Sequence, residues 1–360
     1  MKGAESLKLT AYFGERQRSD GRFLADEMLD LYGRAQVATS IMLRGTAGFG
    51  VRHHLRTDQL LSLSEDPPVA VIAVDTAEVI TTLVDPLVAM TGRGLITLER
   101  ARLVRGGTTE LALTGALHEE TKLTVYVGRK ERVYGVPAYL AVCDLMYRRG
   151  LAGASVYLGV DGTSHGRRTR ARFFDRNVDV PMMIIAVGRG DLIARILAEL
   201  GGLLRNPLMT LERVRICKRD GEVFERPHLL PSHDEHGLPV WQKLMIYSSE
   251  SARTDGQPVH RALVTALRER RISRGATVLR GIWGFHGDHE PHGDKLFALT
   301  RHVPVVTIVI DTPENIADSF DIVDDITGGH GLVTSEMVPA RLVVDGDDRD
   351  GGTALARHGY

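Results

Sequence analysis

The feature that most constrains this chain is that it says the same thing three times. Lys8-Leu9-Thr10-Ala11-Tyr12-Phe13-Gly14 returns as Lys122-Leu123-Thr124-Val125-Tyr126-Val127-Gly128, and again as Lys243-Leu244-Met245-Ile246-Tyr247. A glycine follows each tyrosine nine positions later, at Gly21, Gly135 and Gly256. Leu43-Arg44-Gly45 then matches Tyr157-Leu158-Gly159 and Leu279-Arg280-Gly281, and the apolar runs that open at Pro68, Pro181 and Pro304 match one another. Leu95-Ile96-Thr97-Leu98-Glu99, Leu208-Met209-Thr210-Leu211-Glu212 and Leu332-Val333-Thr334-Ser335-Glu336 complete the set. From tyrosine to final glutamate the intervals are 87, 86 and 89 positions. Landmarks in one order at near-constant spacing mark tandem units. Their bounds read as 1–105 (the landmarks begin near residue 6), 120–219 and 240–345. The stretch 226–239 reads as an extended, solvated, proline-rich linker, and 346–360 as a disordered acidic tail.

Within unit 1, β-favouring residues predict a strand over 7–13, and Asp20-Gly21 predicts a turn. Leu24, Met28, Leu31 and Tyr32 fall on one helical face, as do Ile80, Leu83, Val84 and Leu87. Strands are predicted over 38–43, 69–74 and 95–98. The order β-α-β-β-α-β is that of an α+β, ferredoxin-like unit. In units 2 and 3 the second-helix stripe is Ile193, Ile196, Leu197 and Leu200, then Ile316, Phe320 and Val323. A four-stranded sheet with both helices on one face leaves the other face uncovered. Three such units in one chain can close those faces on each other as an intramolecular pseudo-trimer.

Charge bounds the partners. The 45 basic and 46 acidic residues leave a formal net charge of -1, which gives nucleic acid no broad electrostatic footprint. Arg148-Arg149 before Gly150 reads as a helix end, where cations suit the dipole. No run of about 18 apolar residues exists, so the chain is not expected to be membrane-embedded. Residues 1–7 lack the apolar run of a signal peptide. Cys143 and Cys217, without metal-ligand spacing, read as two reduced buried thiols of a cytoplasmic protein.

The candidate site is the segment after each second strand. Unit 1 reads Arg44-Gly45-Thr46-Ala47-Gly48-Phe49-Gly50-Val51-Arg52, and unit 3 reads Arg280-Gly281-Ile282-Trp283-Gly284-Phe285-His286. Close glycines let backbone N–H groups approach a phosphate, and arginine adds charge complementarity; a hairpin in which they serve geometry alone is the competing reading. Before the last strand, Gly92-Arg93-Gly94 and Gly329-His330-Gly331 offer a second glycine-rich approach, or a plain helix C-cap. In unit 2, Asp161 enters and the phenylalanine is gone. A carboxylate there repels phosphate unless a cation intervenes, so the clefts are expected to be inequivalent. His286, His289 and His292, interleaved with carboxylates, could ligate a divalent metal. No triad, Walker loop or metalloprotease motif is found, so an enzyme is not expected. Glu99, Glu212 and Glu336 recur on the last strands, where a cross-strand structural role suits them.

These features together resemble the DUF190 family of PII-like proteins: the Lys-Leu-Thr-x-Tyr-x-Gly opening, the Leu-Arg-Gly-x-x-Gly-Phe-Gly segment, Ser64-Glu65-Asp66-x-Pro68, Val74-Asp75-Thr76 and the Gly-Leu-x-Thr-x-Glu strand. The likeness covers nearly all of units 1 and 3 and, more weakly, unit 2. It implies a trimeric ferredoxin-like assembly that binds a small effector, an adenine nucleotide by analogy, in clefts between units. It implies no required cofactor. It also implies a mobile loop that touches a partner, such as a transporter or exporter. The residues this places at the ligand are Arg44, Gly45, Gly48, Phe49, Gly50, Arg52, Gly92, Arg93 and Gly94, with Arg280, Gly281, Gly284, Phe285, Gly329 and Gly331. The alternative is a metal-tolerance protein using the three histidines.

Overall fold

The structure, a computed structural model, describes residues 5–57, 66–105, 117–164, 167–170, 180–286, 292–293 and 303–359. Unit 1 has strands Ser6–Gly14, Thr39–Phe49, Pro68–Thr76 and Arg93–Arg105, with helices Leu24–Arg34 and Ala77–Met90 after the first and third. The first strand lies between the third and the fourth, and the second pairs with the third, all antiparallel. The sheet order is therefore fourth, first, third, second. Unit 2 repeats it with strands Glu120–Gly128, Gly153–Leu158, Pro181–Arg189 and Leu208–Arg213. Unit 3 does so with Trp241–Ser249, Ala276–Arg280, Pro304–Asp311 and Leu332–Val338. The recurring glycine after each tyrosine closes a two-residue hairpin turn. Asp20-Gly21, Tyr134-Gly135 and Asp255-Gly256 all have positive φ, between 47° and 84°, the backbone that matches the right-handed twist of the flanking strands.

The helices bury the predicted stripes: Ile80, Leu83, Val84 and Leu87 are all buried, as are Leu24, Met28 and Tyr32. Each unit has its own apolar core between sheet and helices. A fourth cluster draws on all three, bringing Ile72 and Val74 together with Met183 and Ile185 and with Met245, Ile308 and Ile310. These are the helix-free faces of the three sheets, and burying each such side chain is worth about 1.5–3 kcal/mol.

The edges of the sheets are shared in a cycle. The fourth strand of unit 1 runs on, and its residues 102–105 pair with Leu208 to Leu211 of unit 2. The continuation of unit 2, Arg215–Arg219, pairs with the last strand of unit 3. The continuation of unit 3, Ala340–Asp345, returns to residues 93–98 of unit 1. This sharing is why the last strands outrun the predicted 95–98: a strand paired on both edges is extended by its neighbour. The described strands join into one curled antiparallel network, with three separate two-stranded hairpins.

At the centre, Lys8, Lys122 and Lys243 stand opposite Glu99, Glu212 and Glu336 across the first and fourth strands of their own units. The pairs within a unit are 3.3, 2.8 and 2.9 Å apart. Each lysine also donates to a glutamate of another unit, Lys8 to Glu212, Lys122 to Glu336 and Lys243 to Glu99. The six charges thus close a buried ring of alternating sign that touches every unit. Burial opposes charge on each member. For Lys8 and Lys243 the facing carboxylates outweigh it and hold the ammonium above its usual range, while for Lys122 burial wins and the pKa is lowered. Glu99 and Glu212 are also desolvated, yet the lysines hold both below the ordinary carboxylate range.

One expectation is corrected and another refined. The tail, expected to be disordered over 346–360, is ordered through residue 359. Asp348–Gly352 folds back on Ala340–Asp345 as a hairpin, and Ala356 is buried against Leu230 and Val240. Asp350 of the tail, and Asp345 just before it, are each paired with two arginines. The linker 226–239 is irregular and mostly exposed, as expected, but it is pinned at Asp234. Asp234 accepts backbone N–H groups from His236, Leu238 and Arg357, which depress its pKa and tie the linker to the tail. Cys143 and Cys217 are free and buried, and burial pushes the Cys217 thiol up to about 12. No helix of the described residues is long and apolar enough to cross a membrane.

The ring sets two expectations. Lys122→Met leaves Glu212 and Glu336 short of a counter-charge inside the protein and should cost about 3–5 kcal/mol, measured by urea unfolding; a cost below about 1 kcal/mol would contradict a stabilising ring. Because Glu99 and Glu212 have depressed pKa values, their contribution is complete above their ordinary pKa of 4.5 and is lost as pH falls below it. Unfolding midpoints should drop steeply from that point downward, and less steeply in Glu212→Gln.

Candidate functional site: the inter-unit clefts

The glycine-rich segments begin as strands, and each pairs with another unit. Residues 45–49 of unit 1 line up against 276–279 of unit 3. Trp283–His286 of unit 3 lies against 153–156 of unit 2, and Asp161–Ser164 of unit 2 lies against 39–42 of unit 1. The Gly-x-x-Gly spacing follows from this close approach. A Cβ on Gly45 would sit 2.8 Å from the Val278 carbonyl oxygen, and one on Gly48 would sit 2.6 Å from that of Ala276. In unit 3 a Cβ on Gly281 would be 2.9 Å from the Val156 oxygen, and one on Gly284 would be 2.4 Å from that of Ala154. Gly159 and Gly162 of unit 2 are equally crowded. These glycines therefore have a packing role in all three units, including the divergent one.

The phenylalanines after them are anchors. Phe49 of unit 1 is buried in the core of unit 3, where it also stacks on His53. Phe285 of unit 3 is buried in the core of unit 2, edge-on to Tyr147. In unit 2 the same position is Thr163, which bonds to Ser40 instead. Arg44 and Arg280 do not face a cleft. Arg44 pairs with Glu15 and Arg280 is bidentate to Glu250 at 2.9 and 3.0 Å. Unit 2 has Leu158 and Arg129 at these two places, so the pair is lost as a unit. Asp75, noted in sequence only as part of a motif, and Asp311 of unit 3 also tie local backbone. Asp75 accepts the N–H groups of Ala38 and Thr76, and Asp311 those of Arg274 and Thr312.

Between units 1 and 3 this pairing leaves a cleft of about 140 Å³. It brings together Gly48, Phe49, Gly50, Arg52, Arg93 and Gly94 of the expected set, and adds Arg56, Arg274 and Arg341, which sequence reasoning missed. Arg341 and Arg274 lie outside any glycine-rich motif, and only the cyclic strand exchange carries them here. Gly92 stands in open space beside the cleft, with its carbonyl accepting from Gly346.

The cleft between units 2 and 3 is larger, about 940 Å³, and chemically different. Gly284, Phe285 and Gly331 line it with His286, His330 and Asp220. Gly331 has φ +82° and a Cβ there would strike the Tyr247 carbonyl oxygen at 2.2 Å, so glycine is required; Gly329 meets nothing and is unconstrained. At the junction of units 1 and 2, the Asp161 carboxylate meets the cation that phosphate would otherwise need. Arg168 contacts it at 2.7 Å and also binds Asp26 and Asp30. The three junctions are thus inequivalent, as expected from unit 2.

The histidine site is described only in part. His286 bonds to Asp220, His292 is a strand residue opposite Gly284, and His289 lies outside the described residues. Among these, the carboxylate cluster with metal-like spacing is Glu99, Glu212 and Glu336, and its three lysines already neutralise it.

Geometry and sequence together define a protein of three homologous α+β units that share strands and leave clefts at their junctions. The chain belongs to the DUF190 family, described as an uncharacterized ACR, which matches it three times, over 6–103, 120–216 and 241–340. A UPF0166 protein of Aquifex aeolicus (strain VF5) is 38% identical over 96 residues, which is 26% of this chain and 88% of that protein. That relative thus corresponds to a single unit.

The glycine assignments can be separated by substitution. Gly48→Ala and Gly284→Ala force a methyl onto a neighbouring unit's backbone and should each cost about 1–3 kcal/mol, whereas Gly50→Ala, which meets nothing within 4 Å, should stay within about 0.5 kcal/mol. Thermal or urea unfolding of the three variants reads this directly; equal effects would refute the packing role.

Proposed function

We propose that this chain is an intramolecular pseudo-trimer of ferredoxin-like units, a regulatory protein of PII-like type that binds an adenine nucleotide at a unit junction without turning it over. The observation that carries this reading is the cleft between units 1 and 3, where five arginines surround the backbone of Gly48, Gly50 and Gly94. Arginine is the side chain best matched to phosphate, through its planar fork of donors, and Gly50, exposed just past the paired strand, leaves its backbone accessible beside it. The cyclic exchange of strands at both sheet edges and the six-charge ring support the pseudo-trimer. A relative of single-unit length fits an ancestral state in which separate copies made the same contacts. In this reading the protein acts in the cytoplasm, and the segment after the second strand of unit 1 is the part that meets a partner, a transporter by analogy.

A thermal-shift panel of ATP, ADP, AMP, cyclic adenine nucleotides and divalent metals, with product analysis on the same samples, tests it. One nucleotide should stabilise the protein with no product formed, by about 2.7 kcal/mol at 100-fold excess over its Kd. Stabilisation by zinc or copper alone would favour the histidine segment, and accumulation of product would make the protein an enzyme.

A further inference from the structure

We infer that the cleft between units 1 and 3 is a polyphosphate site whose arginines are held, when it is empty, by two carboxylates of the C-terminal hairpin that stand in for the phosphates. This rests on the reading of the junctions as effector sites and names the junction, the ligand group and the competing element.

Asp345 accepts from Arg52 Nε at 2.8 Å and Nη2 at 3.1 Å, and from Arg93 Nε at 2.7 Å. Asp350 accepts from Arg341 Nη1 at 3.0 Å and from Arg274. Each carboxylate therefore bridges two arginines from different parts of the chain: Arg52 and Arg93 belong to unit 1, Arg274 and Arg341 to unit 3. A carboxylate and a phosphate present the same acceptor geometry to a guanidinium fork. Asp350 stands opposite Val343, two residues from Asp345 on the facing strand, so one hairpin carries two anionic positions, the pattern of linked phosphates rather than of one. Arg56, with Asp66 at 3.6 Å, is the fifth arginine of the cleft.

Arg341 supplies an independent observation. It is 1% exposed, its guanidinium lies 4.3 Å from the ring centroid of Trp241, and its Nε has no acceptor. A buried charged donor left unpartnered is costly, and this one borders the cleft. Asp345 and Asp350, with Asp66 beside Arg56 and buried Asp311 4.0 Å from Arg274, set four carboxylates against the five arginines, which leaves one positive charge for a polyphosphate to neutralise. The same hairpin lines the cleft through Val343 and Val344. Only its second strand, Asp348–Gly352, falls in the stretch expected to be a disordered tail. The other junctions lack the set: the one between units 2 and 3 carries Asp220 and His286, and the one between units 1 and 2 spends Arg168 on three aspartates.

Isothermal titration of the full chain with inorganic tripolyphosphate, and separately with ATP, tests this. Tripolyphosphate should bind once per chain, more weakly as salt rises. Arg52→Met with Arg93→Met should lose at least about tenfold in affinity, as expected when charge-assisted contacts are removed, while Arg195→Met, on an exposed helix face of unit 2, removes the same kind of charge without effect. Asp345→Asn and Asp350→Asn weaken the internal competitor and should each tighten tripolyphosphate several-fold. These side chains are at least partly exposed, and an unchanged near-ultraviolet circular dichroism spectrum confirms the fold. No binding of tripolyphosphate, binding indifferent to Arg52 and Arg93, or Asn variants that bind no tighter would each overturn the inference. Tripolyphosphate binding as described, with no adenine nucleotide bound, would instead remove only the adenine reading. ATP binding undiminished by Arg52→Met and Arg93→Met would keep that reading and place its site at another junction.

Discussion

Everything in this molecule depends on six buried charges agreeing with one another. A lysine on the first strand and a glutamate on the fourth face each other across every unit's sheet, on the face that carries no helix. Taken alone, a unit would expose that pair beside a broad apolar surface. With the three faces together, each lysine finds a second glutamate and each glutamate a second lysine. Charge is then satisfied only when all three units are in place, because buried ions are tolerated when paired and punished when one partner is missing. The ring therefore favours the arrangement in which all three helix-free faces meet, and it lies on the strand registers from which the junctions are built.

From that registration follows the edge exchange, and from the exchange follow the clefts. Exposed strand edges are templates for unwanted pairing; here both edges of each sheet are closed by a neighbouring unit. The glycines and phenylalanine of the second-strand segment serve this closure. Gly48 and Gly284 let two backbones approach, and Phe49 and Phe285 lock into another unit's core. The same motif that resembles a phosphate loop is thus first a joint. Its trailing end, at Gly50 and Arg52, reaches the cleft.

The strand continuations of units 2 and 3 both turn back as hairpins, at Asp220-Gly221 and at Asp345-Gly346. The longer one, of unit 3, brings Asp345 and Asp350 onto the arginines of the junction with unit 1. Unit 2 diverges in the opposite direction. It exchanges the phenylalanine for Thr163 and places Asp161 on Arg168. One chain can differentiate its junctions in a way that three identical subunits cannot, because each copy of the segment is free to change alone.

Much of this was legible in the residues. The triplication, the element order, the helix stripes at Ile80, Leu83, Val84 and Leu87, and the inequivalence of unit 2 are local or periodic properties, and a periodic pattern is written directly in sequence. The pairing of Lys8 with Glu99 could be suspected, since both recur. That Lys8 donates to Glu212 could not, because the contact spans two units and depends on how three sheets turn toward one another. The same reason hid Arg274 and Arg341. They lie far from Arg52 and Arg93 in the chain and meet them only through strand exchange. It also misled the reading of the tail, where four aspartates in 345–350 look like solvated repulsion until arginines from two units are placed against Asp345 and Asp350. Sequence determined what each unit is. Only the tertiary structure decided how the units share their edges, because pairing across a junction is fixed by backbone register and charge geometry rather than by neighbours in the chain.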